Sequence, residues 1–261
     1  MKKIRAKKYL GQHFLNDLGI AQKIVDSLKT PPNQVIEVGS GMGVLTQFLI
    51  KRNDLDIRYI EIDNESILYL QENYPEIKNR LIEKDFLKLD FSEIFPDGQC
   101  SIIGNFPYHI SSQILFKALN NRDKVFSLVG MVQREVGKRI ASPPGSKEYG
   151  ILSVLLQSFY SVEYLFTVDE QVFTPPPKVK SGVIRLTRNE VKSLSCNEQV
   201  FVQVVKTAFN QRRKTLRNSL KKLPFDIESV KHLSVFGQRP EQLSVDNFQE
   251  LTLIIDGLPK I

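Results

Sequence analysis

The sequence predicts an open α/β fold, a mostly parallel sheet with helices on both faces, followed by a small all-helical C-terminal domain. Three observations carry this prediction. Strand and helix patterns alternate between residues 35 and 140, a glycine-rich turn follows the first of those strands, and strand patterning stops near residue 187 while helical periodicity continues. Alternation of this kind marks a parallel sheet, because parallel neighbours need a crossover helix. Domains are therefore expected at 1–190 and 191–261.

Taken in order, the chain begins with a basic arm in which five of the first eight residues are Lys or Arg. Residues 9–17 are too polar and interrupted to predict a strand. Asp17 or Asn16 can cap a helix over 18–28, which Pro31-Pro32 ends. A buried strand at 35–38 leads into a helix at 44–51, then come strand 57–62, helix 65–73 and a short strand at 81–83. Strand 101–104, helix 112–120, strand 125–132 and helix 133–140 follow, and the run 142–146, Ser-Pro-Pro-Gly-Ser, reads as an exposed loop. After a helix at 151–159, strands at 162–168 and 182–186 flank Phe173-Thr174-Pro175-Pro176-Pro177. The C-terminal domain is expected to hold helices at 199–209, 212–220, 227–233 and 245–255. The last of these is preceded by a break and a cap within 238–244.

The glycine turn is Val35-Ile36-Glu37-Val38-Gly39-Ser40-Gly41-Met42-Gly43. Glycines suit a sharp turn that lets a ligand approach the backbone, and the helix behind it offers amides to a polar ligand. About 20 residues on, Glu61-Ile62-Asp63 ends a strand, where a carboxylate can hold ribose hydroxyls. An ordinary strand-to-helix turn is the bland alternative. The spacing Gly39-x-Gly41-x-Gly43 is tighter than the dinucleotide pattern, which favours S-adenosyl-L-methionine over NAD. Asp85 follows the third strand, at the carboxyl end of the sheet where open α/β folds bind ligands; a solvent-facing aspartate is the other reading.

Composition narrows the classes further. No apolar run approaches the length of a membrane span, and no apolar stretch follows the basic arm as a secretory signal requires. Cys100 and Cys196 form no paired motif, and His13, His109 and His232 are not spaced as metal ligands, so a reducing cytoplasm is expected and no metal. The net charge is +7, and between residues 199 and 225 there are seven Lys or Arg and no acid. A solvated surface is the plain reading of such runs; nucleic-acid contact is favoured because they are so one-sided.

At the end of the fourth strand stands Gly104-Asn105-Phe106-Pro107-Tyr108. These are turn residues, yet the set suits one reaction. The exocyclic nitrogen of adenine is a poor nucleophile because its lone pair is delocalised into the ring. An Asn oxygen and a main-chain carbonyl held by a proline can accept both N–H bonds and favour a pyramidal nitrogen. Tyr108 can stack on the base, and Phe173 can supply a second stacking surface or serve as core. No strong general base is needed; positioning and electrostatics supply the rate.

Six segments taken together resemble a known family. They are 11–17 (Gly-Gln-His-Phe-Leu-Asn-Asp), 37–43 (Glu-Val-Gly-Ser-Gly-Met-Gly), 61–63 (Glu-Ile-Asp), 84–86 (Lys-Asp-Phe), 104–111 (Gly-Asn-Phe-Pro-Tyr-His-Ile-Ser) and 173–181 (Phe-Thr-Pro-Pro-Pro-Lys-Val-Lys-Ser). In this order they resemble the small-subunit rRNA adenine dimethyltransferases of the KsgA type, over nearly the whole chain. The resemblance implies the Rossmann-like sheet of class I S-adenosylmethionine-dependent methyltransferases. It implies transfer of two methyl groups to N6 of each of two adjacent adenines in the 3′-terminal hairpin of small-subunit (16S) rRNA, during ribosome assembly. Implied cofactor contacts fall on His13, Leu15, Gly39, Gly41, Glu61, Asp85 and Asn105, and the catalytic set is Asn105 to Tyr108. His13 stands where the family usually has Asn, and Phe106 where leucine is commoner. Implied partners are the rRNA and the small ribosomal subunit, with no membrane, and the chain is expected to act as a monomer.

Three other readings compete. A resistance methyltransferase acting on an adenine of large-subunit rRNA shares the catalytic motifs. A non-catalytic RNA-binding assembly factor would have no need of Glu61, Asp85, Asn105, Pro107 and Tyr108 together. An NAD-dependent dehydrogenase has the wrong glycine spacing and no catalytic His or Lys at the sheet edge.

Overall fold

In the computed structural model, residues 6–259 are described. The first five residues of the basic arm, with Lys2, Lys3 and Arg5, lie outside the described residues. The chain forms two compact units, one of residues 1–137 and 163–188, the other of 138–162 and 189–261.

The first unit carries a seven-stranded sheet. Its first elements are β1 (Phe14–Leu15), α1 (Leu18–Asp26), β2 (Gln34–Val38), α2 (Thr46–Leu49), β3 (Asp56–Glu61), α3 (Asn64–Asn73), β4 (Leu81–Glu83) and α4 (Phe91–Ile94). Then come β5 (Cys100–Asn105), α5 (Ser111–Asn120), β6 (Val125–Gln133) and α6 (Arg134–Ala141). The chain continues through α7 (Ile151–Gln157), β7 (Tyr160–Val168), β8 (Phe173–Thr174) and β9 (Ser181–Arg188). Strand order is β4-β3-β2-β5-β6-β9-β7, with β4, β3, β2, β5 and β6 parallel and β9 antiparallel to β6. The order steps outward in opposite directions from β2 and β5. Such a reversal opens a crevice at the carboxyl ends of those strands, and every parallel strand of this sheet ends at that edge.

Local chemistry explains the elements. The Asp17 carboxylate caps α1 by accepting the Ile20 amide at 2.9 Å. β2 and β5 are almost wholly buried, as expected for parallel strands covered on both faces. Two differences from the sequence reading stand out. Residues 9–17 are not strandless: Phe14 and Leu15 pair antiparallel with Thr174 and Phe173. A two-residue strand has no periodicity of its own, and its partner lies some 160 positions away. The helix expected at 44–51 is only Thr46–Leu49, and the turn before it holds Gly39, Gly41 and Gly43, all with φ between 55° and 77°. Left-handed backbone cannot enter a right-handed helix. A β-carbon on Gly43 would also lie 2.3 Å from the Tyr74 ring.

The second unit packs α7, α8 (Glu198–Asn210), α9 (Leu216–Ser219) and α10 (Val245–Asp256). Asn197 caps α8, and Ser244 with Asn247 forms a reciprocal box at the start of α10. Phe201, Val204, Val205 and Ala208 of α8 are buried with Phe248, Leu251 and Ile255 of α10 and Val154 and Leu156 of α7. Beyond the boundary expected near residue 190, this unit also takes in 138–162, because α7 turns its apolar side to α8 and α10. The helix expected at 212–220 is a turn followed by the short α9, and that at 227–233 is a single 3-10 turn, Ile227–Ser229. Arg212 is tied inside this unit by its guanidinium to the Ser146 carbonyl at 3.2 Å and beside Glu241 at 3.9 Å, whereas Arg213 and Lys214 are exposed.

Candidate active site

A cavity of about 440 Å³ opens at the carboxyl edge of the sheet, where β2, β3 and β5 end. Its volume suits a ligand of nucleoside size or larger. The glycine turn forms one wall. Gly41 donates its amide to Glu61 Oε2 at 2.8 Å, while the amides of Ile62 and Asp63 donate to Oε1 at 2.8 and 2.9 Å. Glu61 is thus fixed at the end of β3 by three amides. The Gly41 amide is spent on this carboxylate. A β-carbon at Gly39 would meet nothing within 4 Å, so the backbone there borders open space.

Asp63 has a different job. Its carboxylate is paired with Lys7 and accepts from Gln12 Nε2 and Ser66 Oγ, both at 3.1 Å. Lys7 also lies 3.1 Å from Glu65. These bonds tie the N-terminal segment down beside the cavity. Of the two acids that end β3, Glu61 lines the space and Asp63 does not.

Sequence reasoning missed Glu37. It is 1% exposed within β2 and lines the cavity, and the Thr46 hydroxyl donates to its Oε2 at 2.7 Å. The signal was present as a lone acid in an otherwise apolar strand. Burial pushes this carboxyl up to about 7, with the neighbouring Glu61 adding to the effect. Burial also pushes Glu61 up, against the three amides that favour its ionised form.

A stability prediction follows from Glu37. Its folded value lies above the ordinary 4.5, so the fold favours the protonated form below that value, and this advantage is lost as pH rises through about 7. The gap corresponds to roughly 3 kcal/mol. Glu37→Gln carries no charge at any pH. It is expected to gain on the native chain by up to about 3 kcal/mol between pH 5 and pH 8 in urea unfolding of the ligand-free protein. Parallel pH profiles for the two chains would show that Glu37 is not held protonated.

The opposite wall is the segment after β5. Asn105 Nδ2 donates to the His13 carbonyl at 2.9 Å. A carbonyl only accepts, so the nitrogen end of the amide must face His13, and Oδ1 is the end left for another donor. The His13 ring lies 2.7 Å through Nδ1 from the Pro175 carbonyl, which places the proton on Nδ1. It stacks on Tyr108 with centroids 5.6 Å apart and planes at 27°. Tyr108 in turn shares a 2.6 Å hydrogen bond with Ser181, and burial raises its phenol. Pro107 uses its carbonyl to accept the Ile110 amide at 3.1 Å.

Asp85 stands on the rim after β4. One carboxylate oxygen accepts the Leu87 amide at 2.9 Å, which caps the following 3-10 turn. Ile62, 53% exposed, and Phe86 add apolar surface to the cavity near it. Leu15 is buried and lines the same space.

The structure therefore brings His13, Leu15, Gly39, Gly41, Glu61, Asp85, Asn105, Phe106, Pro107 and Tyr108 to one cavity. Phe173 is the exception and needs correction. It is 3% exposed and packs in the core with Leu15 and Val183, because its pairing with Leu15 turns the ring inward. It offers no stacking surface from there. The Phe106 ring is likewise core, 1% exposed, lying against Gly104 and Gly130.

The cavity's charges decide between ligand classes. Among the described residues, Glu37, Glu61 and Asp85 line it against Lys84 as the one Lys or Arg. A polyphosphate would be repelled, whereas a nucleoside bearing a cationic tail fits. Among the described residues no group of three or more His, Cys, Asp or Glu is placed to hold a metal ion. No helix among them is long and apolar enough to cross a membrane.

Comparison with known proteins finds relatives that span nearly the whole chain. The family profile described as Ribosomal RNA adenine dimethylase matches residues 3–247. The chain is 57% identical over 255 residues to the ribosomal RNA small subunit methyltransferase A of Parabacteroides distasonis, covering 97% of this chain and 95% of that one. It is 58% identical over 260 residues to the protein of the same name from Porphyromonas gingivalis, covering 98% and 99%. Among solved structures, a dimethyladenosine transferase from Plasmodium falciparum superposes with a TM-score of 0.77 at 26% identity, covering 93% of this chain and 97% of that one. The 23S rRNA methyltransferase ErmE, at 23% identity and a TM-score of 0.67 over 91% and 98%, shares the fold.

Proposed function

The chain belongs to the ribosomal RNA adenine dimethylase family, and from that premise we propose that its cavity binds S-adenosyl-L-methionine and presents an adenine to it on the Asn105 loop. It is an rRNA adenine dimethyltransferase of class I fold, acting on the RNA of the small ribosomal subunit. The targets on this reading are two adjacent adenines of the 3′-terminal hairpin, each dimethylated at N6 in the cytoplasm by a monomer.

The residues present fit the cofactor. Its net positive charge matches a cavity with three acids, and the open face at Gly39 leaves room that a side chain would fill. Glu61 would hold the ribose hydroxyls, Asp85 the adenine amine through its second oxygen, and Ile62 and Phe86 the faces of the ring. Glu37, which lines the cavity, would hold the cationic end and be held ionised by it. When bound, the cofactor supplies a methyl group on a sulfonium, an electrophile that needs no further activation.

The chain's own work lies in the nucleophile. Asn105 Oδ1 and the carbonyl of Phe106 accept the two N–H bonds of the target amine, since Pro107's carbonyl is already engaged by Ile110. Both acceptors are set before substrate arrives, one by the His13 carbonyl and one by the proline that follows it. Preorganised dipoles of this kind stabilise charge developing on nitrogen without reorganising during the reaction. The cationic amine formed by transfer then loses its proton to water. Tyr108, braced by Ser181 and His13, offers its ring to the flipped base.

The observation that carries this reading is the hydrogen bond from Asn105 Nδ2 to His13, which orients the acceptor oxygen. It is tested by methyl transfer from labelled S-adenosylmethionine to small subunits lacking the modification, with large subunits alongside and the modified base identified by mass. Dimethyladenine in the small subunit is expected. Label confined to large-subunit RNA would overturn the choice of substrate, and cofactor binding without any label would overturn catalysis.

A further inference from the structure

A second pocket lies beside the target loop, at the same edge of the sheet. It has a volume of about 290 Å³ and is lined by Gln133, Arg134, Glu135, Glu170, Lys178, Val179 and Lys180. Gln133 ends β6 and faces Ser181, the first residue of β9, in the sheet register. Ser181 is the hydroxyl partner of Tyr108 at 2.6 Å. The Arg134 amide donates to the Lys180 carbonyl at 2.9 Å, so the wall of the pocket is continuous with the support of the catalytic tyrosine.

Its side chains form a set that the reaction described above does not use. Glu170 Oε2 is buried and has no hydrogen-bond partner among the described residues. A buried carboxylate oxygen without a donor is costly, which marks it as an acceptor waiting for an N–H. Val179 is 43% exposed, an apolar surface between two lysines. Lys180 is paired with Asp169 and Arg134 with Glu135, but Lys178 has no ion pair among the described residues. One apolar face, one acceptor and one uncommitted cation match the three parts of a nucleotide whose base carries an amino group.

We infer that this pocket is the subsite for the nucleotide next to the target adenine, with Val179 against the base, Glu170 accepting its amino group and Lys178 at its phosphate. The inference rests on the reading of two adjacent adenines. Flipping one of them into the Asn105 loop brings its neighbour to the same edge of the sheet, where this pocket opens. A pocket one residue from the partner of Tyr108 receives it. The same contact would read sequence, because a neighbour without an amino group leaves Glu170 buried and unpaired.

The test uses small subunits reconstituted with rRNA carrying either the native adenine pair or purine, which lacks the amino group, at each of the two positions in turn. The native chain is expected to lose about tenfold in kcat/KM on the substrate whose neighbouring position is purine. Glu170→Ala is expected to lose about tenfold on the native pair, through KM rather than kcat, and nothing further on that purine substrate. Cofactor affinity stays unchanged. Glu170→Gln keeps an acceptor oxygen and is expected to stay within about threefold of native, which separates the contact from misfolding. Lys178→Ala weakens binding to all three substrates and lowers the salt slope by about one. An equal loss by Glu170→Ala on every substrate, no loss on any, or a Glu170→Gln variant as impaired as the alanine would overturn the amino-group contact. An unchanged salt slope for Lys178→Ala would overturn the phosphate contact. Absence of transfer by the native chain to the native pair is a separate result, since it removes the proposed function itself and the subsite with it.

Discussion

Asn105→Ala is expected to lower methyl transfer by about 10³-fold while cofactor affinity stays within about tenfold. The asymmetry follows from where the side chain is committed. Its nitrogen is held by the His13 carbonyl at 2.9 Å, so the oxygen is the catalytic end, and its partner is the target amine more than the cofactor. Alanine removes one of two acceptors that favour a pyramidal nitrogen and leaves the His13 carbonyl without its donor. Asn105→Asp is expected to fail as badly, because an ionised carboxylate has no donor for that carbonyl and two oxygens would face each other. Single-turnover transfer on unmodified small subunits, with cofactor titration in parallel, checks both variants. Turnover of Asn105→Ala within tenfold of native would sink the mechanism.

Gly130→Ala is expected to be strongly damaging although it lies outside the cavity. A β-carbon there would lie 2.1 Å from the Phe106 ring, which is 1% exposed and has no room to withdraw. Overpacking of this kind costs about 1–3 kcal/mol. Phe106 also carries the second acceptor carbonyl, so a backbone shift of about 1 Å is expected to cost roughly 10²-fold in kcat. Phe106→Leu in the Gly130→Ala background should restore most of both losses, because the shorter side chain vacates the space the new methyl needs. Gly104→Ala supplies the contrast. Its β-carbon would also strike the Val38 carbonyl at 2.5 Å, a backbone atom, so Phe106→Leu is not expected to rescue it. Thermal unfolding and transfer rates for the set decide the matter; a Gly130→Ala chain that Phe106→Leu leaves unrepaired would show that the ring is not the cause.

These two variants also show why the aromatic at 106 is tolerated in the loop. Its ring is accommodated by two glycines on neighbouring strands, and only its carbonyl faces the chemistry. His13 is explained similarly, since its main chain anchors Asn105 while its ring braces Tyr108 against Pro175.

The sequence by itself determined the alternating strands and helices, the glycine turn, and the placing of Glu61, Asp85 and Asn105 at strand ends. Each of these is encoded locally, in periodicity, in residues that permit φ above zero, or in a polar residue just after an apolar run. Tertiary structure alone decided which members of those clusters line the cavity. Glu61 lines the cavity and Asp63 does not because Lys7 and Gln12 reach across from a distant segment, and Phe173 is core because a two-residue strand pairs it with Leu15. The upward push on the Glu37 carboxyl also comes from burial between the neighbouring strands β3 and β5. The placing of 138–162 with the helical unit likewise depends on an apolar side whose partners are α8 and α10. Contacts between segments far apart in sequence leave no periodicity to read, and they set the burial and hydrogen bonding on which each side chain's chemistry depends.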